Sequence, residues 1–178
     1  MLTSSDKEFP VATKTLNDLF YDTLKDIYYA ERQILKALPK MARSATDDKL
    51  KQAFEQHKEE TQGQIERLQQ VFEIIGKRAQ GKTCEAIQGI IAEGEEIMEE
   101  FKDTPALDAG LVSSAQAVEH YEIARYGTLK AWAAQLGYKD AVALLDATLK
   151  EETKTDASLT QLAETAVNAA GEGARKAA

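Results

Sequence analysis

A chain of 178 residues with 43% hydrophobic and 29% charged side chains is long enough for one domain with a sizeable core. Its formal net charge of −8, with Lys and Arg scattered among Asp and Glu, argues against a nucleic-acid partner. The single cysteine, Cys84, excludes an internal disulfide, a cysteine-based metal cage, and electron delivery from a fused rubredoxin-like domain.

No apolar run nears the roughly 20 residues needed to span a bilayer, and MLTSSDKEFPVATK has no apolar core of signal-peptide length. A cytoplasmic protein with no membrane partner is expected. Residues 1–13 lack periodicity and read as a flexible arm. From about Lys14 to Ser44, Leu16, Leu19, Phe20, Leu24, Ile27, Ile34, Leu38 and Met41 recur at helical spacing, and Pro39 predicts a kink near Leu35. Ser44, Thr46 and Asp47 are N-cap candidates for a second helix, about Asp48 to Ile75, which Gly76 ends.

After the polar connector KRAQGKTC, a shorter helix over about 84–101 is expected to turn Ile87, Ile90, Ile91, Ile97, Met98 and Phe101 inward and a glutamate-rich face to water. Thr104 and Pro105 read as the N-cap and first position of a third long helix, which stops at Gly137. The fourth runs from near Asp140 to near Gly171, with a flexible tail over 171–178. No alternating strand pattern is present. Two long hairpins, 14–75 and 106–170, joined by a connection with its own helix, describe an all-α chain. The expected fold is a ferritin-like four-helix bundle, spanning 14–170, with a long crossover connection carrying an extra short helix.

Each long helix carries polar residues on its apolar stripe. Glu31 lies between Ile27 and Ile34; His57, then Glu60 or Thr61, then Gln64, lie between Phe54 and Leu68. The third stripe reads Leu111, Ala115, Val118, Glu122, Arg125, Leu129, Trp132, with Glu119 on the same face; the fourth reads Leu145, Thr148, Glu152, Thr155 or Asp156, Leu159. Glu31, Glu60, Glu122 and Glu152 each fall about 14–16 residues from the turn of their hairpin, which brings four carboxylates to one depth. His57 and Glu119 fall about one turn away from it. Carboxylates crowded into a core repel one another and lose hydration, and divalent cations between them are the usual remedy. Oxygen ligands with one imidazole suit iron or manganese. His120 lies one position off the stripe and reads as a packing or interface residue, and Tyr28, Tyr29, Tyr121 and Tyr126 read as core aromatics or as hydrogen-bond donors near the site.

The segments YYAERQILKALPKMA, AFEQHKEETQGQIERLQQVFE, AVEHYEIARYGTLKAWA and LLDATLKEETKTDASLTQLAE resemble the YciE/YciF family of bacterial stress-associated ferritin-like proteins, over roughly 14–168. The resemblance implies a rubrerythrin-related fold, a homodimer, a possible di-iron or di-manganese centre and a link to stress response, with no assigned reaction or electron-transfer partner. The family's ligand pattern falls on Glu31, Glu60, Glu119 or Glu122, and Glu152. Two departures stand out: helix two reads His57-x-x-Glu60, with histidine before glutamate, and Glu152-x-x-Thr155 has no histidine. A second imidazole could come only from His120. The expected metal set is therefore Glu31, His57, Glu60, Glu119, Glu122 and Glu152, serving redox or metal-handling chemistry. The alternatives are a non-catalytic stress domain with a partial or empty site and, less favoured, an iron-storage cage.

Overall fold

The structure is a computed structural model that describes residues 13–173. Residues 1–12 of the expected arm and 174–178 of the expected tail lie outside the described residues. Among those described there are helices and no strands: α1 Leu16–Ser44, α2 Asp48–Ile74, α3 Glu85–Glu100, α4 Leu107–Gln135 and α5 Lys139–Leu162. A π-helical turn, Ala163–Val167, then leads into a short α6, Asn168–Gly171.

Local chemistry sets the ends. Thr15 and Asp18 form a reciprocal capping box at the start of α1, which begins two residues later than expected. Asp47 caps α2 by accepting from the Lys49 and Leu50 amides at 2.8 and 2.9 Å. Gly76 (φ +65°) and Gly137 (φ +81°) adopt the left-handed conformation that turns the chain out of α2 and α4. Pro39 lies inside α1 and does not end it. Having no N–H, it leaves the Leu35 carbonyl without its intrahelical donor.

Short turns make α1–α2 and α4–α5 antiparallel hairpins, and α1 against α4 with α2 against α5 close them into a four-helix bundle. The crossover carries α3, which packs on α4 and α1. Its connector is fastened to α1: the Lys82 amide donates to the Lys25 carbonyl at 3.1 Å, and its ammonium meets Asp22 at 2.6 Å. Phe20, Leu24, Leu68 and Phe72 fill the core toward one end, where Phe72 meets Tyr21 and Tyr28 edge-on. Leu38, Leu50, Phe54 and Leu111 fill the other end. Between those layers lies the level of the buried polar residues.

Four expectations need correction. Thr104 and Pro105 do not start α4, which begins at Leu107 behind Ala106. The Thr104 hydroxyl donates instead to the Phe101 carbonyl at 2.7 Å, in a turn. Phe101 is 41% exposed and Leu19 49% exposed, because each lies at a helix end beyond the reach of its neighbours. Arg125 is exposed; on a helix Tyr126 stands about 40° from Glu122 where Arg125 stands about 60° away, so the phenol takes the inward place.

Candidate metal centre

One side chain on each of α1, α2 and α5 and two on α4 meet at mid-bundle, and all five are buried: Glu31, His57, Glu119, Glu122 and Glu152. Ligand atoms of His57, Glu119, Glu122 and Glu152 lie within 4.8 Å of one another. His57 Nε2 stands 3.2 Å from Glu119 Oε1 and 4.0 Å from Glu152 Oε2. Glu31 completes the ring from α1, facing Glu122, as Glu119 faces Glu152.

Desolvation dominates the electrostatics. It pushes the Glu119 carboxyl up to about 11, with Glu152 adding to the rise. Glu31 and Glu122 are raised well above the ordinary carboxylate range by burial first, then by Glu152 for the one and Glu31 for the other. Burial raises Glu152 as well. Without cations, burial favours the protonated over the charged form of each of these carboxyls. No Lys or Arg forms an ion pair with any of the four among the described residues; their one basic partner is His57.

A surrounding layer orients the cluster. The buried Tyr126 hydroxyl donates to Glu31 Oε1, and burial followed by the Glu31 charge raises its own proton affinity. The buried Gln64 amide donates to Glu152 Oε1 and, at 3.2 Å, to Glu151. Arg67 holds Glu151 and donates to Thr148 at 3.0 Å. Thr61 returns its hydroxyl to the His57 carbonyl at 2.8 Å, so it offers the cluster no donor.

Of the six expected ligands, Glu60 lies outside the cluster. It is half-buried, accepts from Gln56 at 2.8 Å and places Oε2 3.7 Å from His57 Nδ1, on the far side of the ring. The imidazole beside it, more than Gln56, lowers its pKa. His120 is 69% exposed and faces Asp156 at 3.2 Å, away from the centre. Tyr126 fills the hydrogen-bond donor role that was one of its two readings, with Glu31 as its acceptor, whereas Gln64 was legible only as a polar residue on the stripe of His57.

Fold and site together define a ferritin-like four-helix bundle whose core contains a buried His/Glu cluster that could hold a metal ion. The chain belongs to the family described as "Domain of unknown function (DUF892)", which matches residues 15–172. It is 48% identical to protein YciF of Escherichia coli over 156 residues, covering 87% of this chain and 94% of that protein. The crystal structure of the E. coli stress protein YciF superposes with a TM-score of 0.84, covering 88% of this chain and 99% of that one. YcfI from Rhodopseudomonas palustris, described as a candidate structural protein, is 51% identical with a TM-score of 0.81, over 85% of this chain and 97% of that one. No helix among the described residues is long and apolar enough to cross a membrane.

Proposed function

We propose that this chain is a stress-associated metalloprotein whose bundle core holds a dinuclear iron or manganese centre, acting in oxidative-stress or metal redox chemistry. The observation that carries the reading is a concentration of unpaired polarity. Eight buried side-chain atoms lack hydrogen-bond partners among the described residues, and every one belongs to Glu31, His57, Gln64, Glu119, Glu122 or Glu152. Native cores rarely leave one such atom without reason, and each costs about 1–3 kcal/mol. Eight such atoms on six residues at one level of the bundle, with only His57 Nδ1 turned away toward Glu60, fit a site built for cations.

Glu31, His57, Glu119, Glu122 and Glu152 would hold them. A donor set of carboxylate oxygens and one imidazole, with Cys84 outside it, suits iron or manganese better than thiolate-selected metals. A pair of such divalent ions supplies two electrons, enough to reduce dioxygen with two protons to hydrogen peroxide, or hydrogen peroxide with two protons to water. The chain's own groups set the rest. Glu60 lies behind His57 Nδ1 and favours a proton there, leaving Nε2 as the ligand atom toward Glu119. Gln64 fixes one oxygen of Glu152, and Tyr126 keeps a proton on its hydroxyl against Glu31.

Anaerobic titration of chelator-stripped protein with Fe(II) or Mn(II) tests this directly. Two ions per chain are expected, abolished in the Glu31→Ala/Glu122→Ala variant; no uptake refutes the reading. A second reading, a structural stress domain with a partial site, draws on the single imidazole at the cluster and on the description of the R. palustris relative. One ion or none, with no dioxygen or peroxide consumed, favours it. The family resemblance also supports a cytoplasmic homodimer, which native mass measurement and cell fractionation test.

A further inference from the structure

Two recesses reach the cluster, and they differ in chemistry. The first, of about 80 Å³, opens between α2 and α5 past Gln56, Glu60, Lys154 and Ser158 to His57, and its wall mixes these polar groups with Ala53, Leu159 and Leu162. The second is a cavity of about 40 Å³ beneath α3, walled by Ile34, Met41, Ile90, Met98 and Val118, with His57 and Glu119 at its inner end. Its wall is almost wholly apolar. Ser114 contributes a hydroxyl, but that hydroxyl is committed to the Gly110 carbonyl at 3.0 Å in its own helix. Lys40 and Glu95, joined at 2.8 Å, belong to the same lining and tie α1 to α3 there.

Size and polarity restrict what such a space accepts. One water-sized molecule needs about 10–15 Å³ by this measure, so the cavity holds about three. Water needs two to four polar partners; His57 and Glu119 supply them at the inner end and the Lys40–Glu95 pair at the other, while Ile34, Met41, Ile90, Met98 and Val118 between them supply none. A divalent cation entering here would lose its hydration against hydrocarbon, at large cost. A small apolar gas loses little hydration and gains dispersion contacts on every side.

We propose that this cavity is a dioxygen chamber that delivers the gas to the His57–Glu119 side of the centre. The proposal rests on the metal-centre reading for its purpose, yet gas binding itself needs no metal. Xenon is therefore the probe, applied under pressure to the full metal-free chain and followed by ¹²⁹Xe chemical shift and by anomalous scattering.

One xenon position against Val118 and Met98 is expected in the wild type. Ala115→Leu, which fills the chamber, should remove it, and Ala37→Leu near the Lys40 end should weaken it if the first variant folds poorly; Met98→Ala should raise occupancy. In Fe(II)-loaded protein, Ala115→Leu or Ala37→Leu should lower the second-order rate constant with dioxygen about tenfold while leaving Fe(II) stoichiometry unchanged. No xenon in the wild type overturns the proposal, as does a filled chamber whose dioxygen dependence matches the wild type. Xenon bound by a protein that takes up no metal refutes the metal centre and leaves the gas site standing, so the two failures are distinct.

Discussion

Glu119→Gln exchanges a buried carboxyl for an amide of the same shape, and its effect on stability should change sign with metal. In the metal-free protein Glu119 titrates at about 11 against an ordinary value of 4.5. Between those values the folded chain holds a proton that the unfolded chain releases. Stability therefore falls as pH rises, by about 1.4 kcal/mol per unit, and is fully retained only below pH ~4.5. At pH 7 the accumulated loss is about 3 kcal/mol. The amide needs no proton and donates to Glu152 in its place. In chelator, the variant should match the wild type near pH 4.5 and exceed it by about 3 kcal/mol at pH 7, about 6–12 °C in Tm for a chain of this size. With Mn(II) at about 100 times its Kd, the wild type should gain about 2.7 kcal/mol and the variant far less. Denaturation from pH 4.5 to 8, with and without Mn(II), reads both arms. A stability difference that stays flat with pH refutes the electrostatic reasoning, and equal Mn(II) stabilisation of both proteins refutes Glu119 as a ligand.

Three further outcomes follow from particular contacts. Tyr126→Phe removes the phenol's hydrogen bond to buried Glu31 and should cost about 1–2 kcal/mol in the metal-free protein, with weaker Fe(II) binding in titration. Asp108, on the first turn of α4, accepts from the Thr46 and Asp47 amides at 2.8 Å each and from the Thr46 hydroxyl, at the start of α2. Asp108→Ala should cost about 2–3 kcal/mol in urea denaturation, and Asp108→Asn less, since one oxygen survives. Gly110 lies where an added Cβ would come within 2.5 Å of Ile97 Cγ2, so Gly110→Ala should push α3 outward. We expect a loss of about 1–2 kcal/mol and faster amide exchange confined to α3.

Helix phase and depth carried most of the fold and much of the site. Glu31, Glu122 and Glu152 sit on unambiguous apolar stripes, and their equal distance from the hairpin turns is a one-dimensional quantity that a sequence holds in full. Glu60 marks where such reasoning ends. On a helix Thr61 and Gln64 stand within about 40° of His57, whereas Glu60 stands about 60° off; that difference separates a buried side chain from one half in water. The same difference separates Tyr126 from Arg125. The start of α4 was misread because Thr104 and Pro105 carry the right local chemistry, while the tie between α2 and α4 comes from Asp108, 62 positions from Thr46. Neither Gln64 to Glu152 nor Tyr126 to Glu31 has a local signal, since each bond spans more than eighty residues.

The two sides of the cluster are not equivalent, and this bears on how the proposed centre would work. His57, Glu119 and Glu152 lie on one side, where the apolar cavity reaches His57 and Glu119 and the recess past Glu60 reaches His57. Glu31, Glu122 and Tyr126 lie on the other, fully buried and lining neither recess. A cation position built with the imidazole would thus be the reachable one, and a carboxylate-only position the enclosed one. The two sides still feel each other, since the Glu152 charge raises Glu31 and the Glu31 charge raises Glu122 after burial has done so. A bundle selected for stability alone would replace these four acids with leucine or valine and gain by it. Tyr126 and Gln64 hold Glu31 and Glu152 from neighbouring helices, and under the proposed function cations among the four acids would offset what their burial costs.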